Sequence, residues 1–203
     1  MSIQAVIWDV GGVLLRTEDR GPRTALARRF GMTYEEIDEL VFGCETALQA
    51  AEGKIDVSAH WENVCRQLNL PPEEASTLQE SFWGGDRMDE ELVTFIRGLR
   101  PRYRTALLSN AWSDMRSVLD RKWKILDAFD DVFISSEIGL VKPDPRIYIY
   151  VAEKMGIEPG QAVFIDDFKE NVDSALKVGF HGVHFQNPAQ AIQDVRKVLE
   201  EHS

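Results

Sequence analysis

Cysteine is scarce in this chain: 203 residues contain two, Cys44 and Cys65, in neither a C-x-x-C nor a zinc-binding pattern. That excludes a disulfide framework and a zinc-ribbon site, and it fits buried free thiols in a cytoplasmic protein. Positive charge is also in deficit, with 23 Lys and Arg against 34 Asp and Glu and a net charge of −11. Neutralising nucleic-acid phosphates or docking on anionic lipid needs clustered Lys and Arg, so neither nucleic acid nor a membrane surface is an expected partner. No apolar run approaches the ~18 residues of a membrane span. Met1 to Trp8 lacks the basic start and long apolar stretch of a signal peptide. Internal repeats and low-complexity tracts are missing too, and the expected location is the cytoplasm.

What is present is ordinary for a globular protein, with 44% hydrophobic and 28% charged residues over a length that suits one domain with a modest insertion. Ile3 to Trp8 is a compact apolar run ending in Asp9 and Gly11-Gly12, the pattern of a buried strand feeding a tight loop. Residues from about 20 to 85 are helical in pattern, without a convincing strand. Thr33 and Glu36 form a capping box with Met32 and Ile37 as its staple. Val57, Trp61, Val64, Cys65 and Leu68 share one helix face, and Pro71-Pro72-Glu73-Glu74 opens another helix.

Beyond residue 88 strands and helices alternate. Helices are expected over Leu92–Leu99, Trp112–Trp123, Asp144-capped Pro145 to Met155, Phe168–Val178 and from Asn187-Pro188 onward, with Glu200 to Ser203 as a frayed end. Strands are expected at Thr105–Leu108, Val132–Ile134, Ala162–Ile165 and Gly182–Phe185. The alternation predicts an α/β fold, a doubly wound parallel sheet with an all-helical insertion after the first strand.

In such sheets ligands bind beyond the carboxyl ends of the strands. The residues that follow successive strands are Asp9-Val10-Gly11-Gly12, then Ser109-Asn110, then Lys142-Pro143-Asp144 past a short loop, then Asp166-Asp167. Asp9, Asp166 and Asp167 repel one another when clustered, and a hard divalent cation such as Mg²⁺ relieves that conflict. An Asp can act as a nucleophile towards phosphorus. Lys142 can hold it and neutralise developing charge, and Ser109 and backbone N–H groups can bind phosphate oxygens.

This ordered set resembles the haloacid dehalogenase superfamily of hydrolases, through AVIWDVGGVL (5–14), LLSNA (107–111), GLVKPDPRIY (139–148) and VFIDDFKENVDSALKVGF (163–180). The resemblance implies a Rossmann-like core over residues 1–15 and 88–203 and a helical cap over 16–87, similar to the branch holding the epoxide-hydrolase phosphatase domain and sugar-phosphate phosphatases. It implies that Asp9 is the nucleophile and a metal ligand. The Gly11 carbonyl would be a second ligand and Asp167 a third, with Asp166 acting through water or as a further ligand. Ser109, Asn110 and Gly12 would bind substrate phosphate, Lys142 would tie phosphate to Asp9, and Asn171 would sit behind the metal. The implied activity is Mg²⁺-dependent hydrolysis of a small phosphate ester, for instance a sugar phosphate, by a monomer or homodimer.

One departure matters. Family phosphatases usually carry an Asp two residues after the nucleophile as general acid/base; here that position is Gly11, and the resemblance extends to some sugar-phosphate phosphatases of this branch that also have Gly there. Losing such a group typically costs roughly 10²–10⁴-fold. A water or a cap residue could substitute. The departure keeps two alternatives open, a metal-independent 2-haloacid dehalogenase and a degenerate relative that binds phosphorylated ligands without turnover. The double acidic Asp166-Asp167 favours the phosphatase. His181 and His184 point to opposite faces of a strand and make a poor metal pair. His60 reads as solvated, Phe42, Trp61, Phe82 and Trp83 read as cap core rather than a stacking platform, and Arg16 and Glu45 are candidate substrate contacts.

Overall fold

The computed structural model describes residues 1–202; Ser203, in the expected frayed end, lies outside them. The chain runs β1 (Ala5–Trp8), β2 (Leu15–Thr17), α1 (Gly21–Arg29), α2 (Tyr34–Phe42), α3 (Glu45–Ala51), α4 (Val57–Gln67), α5 (Ala75–Phe82), β3 (Asp86–Met88) and α6 (Glu90–Leu99). It continues through β4 (Arg104–Ser109), α7 (Met115–Ser117), β5 (Asp131–Ile134), α8 (Ser135–Ile138), α9 (Pro145–Met155), β6 (Ala162–Asp166), α10 (Lys169–Val178), β7 (His181–His184) and α11 (Pro188–Glu201). Five strands form one sheet in the order β5-β4-β1-β6-β7, every neighbouring pair parallel. From β1 the chain builds outward through β4 and β5, then crosses back to add β6 and β7. The strand order therefore reverses at β1, which puts a crevice at its carboxyl end.

The sheet is buried on both faces because its strands are apolar throughout. Val6, Trp8, Leu107 and Ile165 pack with Leu92, Ile96, Val195 and Leu199 of α6 and α11 on one face. Ala5, Ile7, Leu108 and Phe164 pack with Ile147, Tyr148, Val151 and Ala175 of α9 and α10 on the other. The side-chain alternation of a strand explains why neighbours in β1 belong to opposite clusters. Several expected helix starts are realised by side-chain caps. Thr33 and Glu36 form the reciprocal box, Asp144 accepts from the Arg146 N–H, and Asn187 accepts from the Gln190 N–H.

Residues between β2 and β3 are helical, and Leu26, Ile37, Trp61, Val64, Cys65 and Phe82 form their own core. The segment expected as a helix over Trp112–Trp123 starts at α7 and passes into a π turn over Val118–Lys122. A feature without a sequence signal is the antiparallel ribbon of β2 and β3, which pairs Leu15 with Met88 and Thr17 with Asp86. The Thr17 hydroxyl donates to Asp86 Oδ1 at 2.7 Å, and buried Arg23 of α1 reaches the same oxygen at 3.3 Å. The helical insertion is thus fastened to its own ribbon by a buried ion pair. Among the described residues no helix is long and apolar enough to cross a membrane.

Candidate active site

Sheet register brings the expected residues together. Trp8 aligns with Leu107 on one side and Ile165 on the other, so the positions that follow, Asp9, Leu108 and Asp166, stand at one level. The Asp9 N–H donates to the Ile165 carbonyl at 2.9 Å and extends the ladder by one residue. Ser109 ends β4 and is buried, Asp166 ends β6 and is fully buried, and Asp167 opens the turn into α10.

Lys142 reaches this point from the loop between α8 and α9, with 4% of its surface exposed. Its Nζ lies 2.8 Å from Asp9 Oδ1 and 2.6 Å from Asp166 Oδ2, and it donates to the Leu108 carbonyl at 3.2 Å. Those three partners use all the donors an ammonium has. Burial works to lower the Lys142 pKa, but the Asp9 and Asp166 carboxylates outweigh it and hold the group protonated. Burial pushes the Asp9 carboxyl up to about 7 against the pull of Lys142, and Asp166 and Asp167 add to the rise. Burial also raises Asp167, with Asp166 adding like-charge repulsion.

The three carboxylates are not equivalent. Asp166 accepts from the Phe168 N–H at 2.8 Å, from the Asn171 amide at 3.0 and 3.1 Å, and from Lys142. Its lone pairs are therefore committed to protein donors. Asp167 Oδ1, by contrast, is buried without any hydrogen-bond partner. One oxygen from each of Asp9, Asp166 and Asp167 lies within 4.8 Å of the others. An unpartnered carboxylate oxygen beside two further carboxylates suits an oxygen-liganded divalent cation, so the donor set fits Mg²⁺. Asp9 and Asp167 carry the free coordinating capacity, and Asp166 anchors Lys142 and Asn171 behind them.

Two residues expected to bind phosphate are partly engaged within the protein. The Asn110 amide donates to the Lys142 carbonyl and accepts from the Lys142 N–H, both at 2.8 Å. Asn110 therefore positions Lys142 and keeps the second of its two amide N–H donors. The Gly12 N–H donates to the Leu15 carbonyl at 3.0 Å. Gly12 serves the site through its shape: φ is +76°, and a Cβ there would stand 2.0 Å from Asp167 Oδ2. Gly11 is exposed, and a Cβ there would meet nothing within 4 Å.

Other candidates lie outside the cluster. Arg16 is tied to Asp89, Glu18 and the Val13 carbonyl, and Glu45 bonds Gln49 on the surface. His60 is fully buried rather than solvated, with Nδ1 3.0 Å from the Thr46 hydroxyl and its ring 4.5 Å from that of Trp112. Sequence reasoning missed three residues. His184 Nε2 lies 2.9 Å from the Asp167 carbonyl and braces that turn. The Tyr148 hydroxyl donates to the Asn171 carbonyl. Trp112, two residues past Asn110, crosses to the helical insertion, where its Nε1 donates to the Ala47 carbonyl at 3.1 Å. Of these, only Trp112 had a legible signal, a large apolar ring directly after a site motif.

A family model for haloacid dehalogenase-like hydrolases matches residues 3–179. The chain belongs to this family. Bifunctional epoxide hydrolase 2 of Rattus norvegicus is 30% identical over 93% of the chain, which spans only 36% of that relative's length. The sesquiterpene phosphatase astK of Aspergillus oryzae is 24% identical over 98% of the chain and 97% of its own. A family enzyme of Bacteroides thetaiotaomicron, solved in complex with magnesium and inorganic phosphate, superposes with a TM-score of 0.75 at 24% identity, covering 91% of this chain and 95% of that one. The protein is accordingly a hydrolase built on the family's α/β fold.

Proposed function

We propose that the protein is a Mg²⁺-dependent phosphomonoesterase for a small phosphorylated metabolite. The observation that carries the proposal is the carboxylate cluster itself, with ligand atoms within 4.8 Å, one oxygen buried and unpartnered, and a donor-saturated lysine at its edge. Asp9, Asp167 and the Gly11 carbonyl would hold the ion, which when bound supplies charge to screen an incoming phosphate from the acidic site. Lys142 holds Asp9 Oδ1 and leaves Oδ2 as the attacking oxygen. Attack on phosphorus forms an aspartyl-phosphate and releases the alcohol, and water then hydrolyses the acyl-phosphate. Ser109, at the end of β4, would meet the phosphate. Phosphatase relatives support this reading, as does the family fold found in complex with magnesium and phosphate. A 2-haloacid dehalogenase would accommodate Gly11 equally well but leaves Asp167 without a task.

Hydrolysis of para-nitrophenyl phosphate, with and without Mg²⁺, tests the proposal. Turnover should require the metal and fall at least about 10³-fold in Asp9→Asn, since removing a nucleophile removes the covalent route. Halide release from 2-chloropropionate without metal, in the absence of phosphatase activity, would replace this reading with the dehalogenase.

A further inference from the structure

A cavity of about 770 Å³, lined in part by the site residues Asn110 and Lys142, opens between α2, α3, α5 and the segment after β4. That volume is in the range of small-molecule sites, roughly 300–1,000 Å³. Asn110 and Lys142 stand at one end, and Phe42, Trp61, Trp83 and Trp112 form much of the wall. Phe42 stacks against Trp112 with centroids 6.0 Å apart and planes at 28°, and Trp83 meets Trp112 at 6.2 Å. Phe42 is 48% exposed at this wall. The aromatics are therefore both insert core and cavity wall.

Part of the polar wall is engaged within the protein, while Ser76, Gln79 and Glu80 of α5 also line it. The Trp112 indole N–H is bonded to Ala47. Asp86 is held by Thr17 and Arg23, and Arg87 donates to the Gly84 and Asp86 carbonyls. Lys142 has no free side-chain donor, and Asn110 keeps one. A flat ring finds π-faces.

Gly11 points the same way independently. With no side chain at this position, the chain offers no proton donor there to the leaving oxygen. An aryl oxide has a conjugate-acid pKa of about 10, as in tyrosine, whereas an alkoxide is far more basic, close to hydroxide. A site without an acid is therefore fitted to leaving groups that are stable as anions.

The geometry points to a phosphate ester of an aromatic alcohol, an aryl phosphate, as the substrate class. In the reaction the P–O(aryl) bond breaks and the P–O bond to Asp9 forms. The aryl oxide leaves with the electron pair and takes its proton from water. This inference rests on the phosphatase reading above.

The test compares 1-naphthyl, phenyl and benzyl phosphate and glucose 6-phosphate with the Mg²⁺-loaded enzyme. In parallel, the quenching of tryptophan fluorescence by 1-naphthylphosphonate, which cannot be hydrolysed, measures binding. Expected are kcat/KM at least about 100-fold higher for naphthyl phosphate than for the sugar phosphate, kcat for benzyl phosphate well below that for phenyl phosphate, and quenching by the phosphonate but not by inorganic phosphate. Phe42→Ala, at an exposed ring, should narrow the preference for naphthyl over phenyl phosphate about tenfold. Equal or better turnover of glucose 6-phosphate overturns the inference and leaves the phosphatase intact. Quenching without turnover of any ester overturns the phosphatase while supporting the ligand class. Absence of quenching, or an unchanged preference in Phe42→Ala, overturns the aromatic wall as the recognition element.

Discussion

Placing a carboxylic acid at Gly11 is the sharpest perturbation this site offers. A side chain there costs no backbone strain, because Gly11 lies outside the left-handed region and a Cβ meets nothing within 4 Å. The stability of Gly11→Asp should therefore stay within about 0.5 kcal/mol of the parent, the usual range for an exposed substitution. Its effect on rate should depend on the leaving group. A positioned general acid contributes roughly 10²–10⁴-fold where protonation limits the reaction. For benzyl phosphate, whose alkoxide is a poor leaving group, kcat should rise about 10²-fold, equivalent to about 2.7 kcal/mol of barrier. Phenyl phosphate should gain little. The new carboxyl can serve as an acid only while protonated, below its own pKa. The variant should accordingly lose its gain as pH rises through that pKa, a descending limb the parent lacks. Steady-state kinetics across both esters from pH 5 to 8, with Gly11→Asn as a non-titrating control, checks this. Equal gains on both esters, or the same gain in Gly11→Asn, would refute the idea that the missing proton donor shapes the rate.

Lys142→Met leaves the buried carboxylates Asp9 and Asp166 without their counter-charge, which typically costs about 3–5 kcal/mol. At roughly 2–4 °C per kcal/mol for a chain of this size, Tm should fall by about 10 °C in calorimetry; a change under about 2 °C would show that the lysine is not a structural keystone. Burial lowers the His60 pKa to about 4. The unfolded chain then binds the extra proton first, so stability falls as pH drops from about 6.5 towards 4, by about 1–2 kcal/mol at pH 5. Urea unfolding at pH 7 and 5 should show that loss shrinking in His60→Gln; an identical loss in both proteins would remove His60 as its source.

The sheet and most helix starts were legible because their causes are local. β1 is a run of apolar residues, and the caps at Thr33, Asp144 and Asn187 are short motifs that act within one turn. The clustering of Asp9, Lys142, Asp166 and Asp167 followed from strand order and register. The ribbon was not legible, since its strands have three residues each and Thr17 and Asp86 are 69 positions apart. The π turn over Val118–Lys122 shares the helical periodicity of its surroundings. His60 looked solvated because the ring that covers it, Trp112, arrives from another part of the chain. The tie between Asn110 and Lys142 spans 32 positions and has no local signature.

The β2–β3 ribbon makes the helical insertion separable in principle from the chemistry. Its two ends leave the sheet side by side, paired at Leu15–Met88 and Thr17–Asp86, so they stand about 5 Å apart. A hairpin turn of a few residues could close that gap and leave β1, β4 and β6 untouched. Phe42, Trp61 and Trp83 belong to the exchangeable part, while Asp9, Lys142 and Asp167 belong to the fixed part. Selection can therefore trade one binding chamber for another without renegotiating the carboxylates, and only Trp112, rooted beside Asn110, has to be compatible with both.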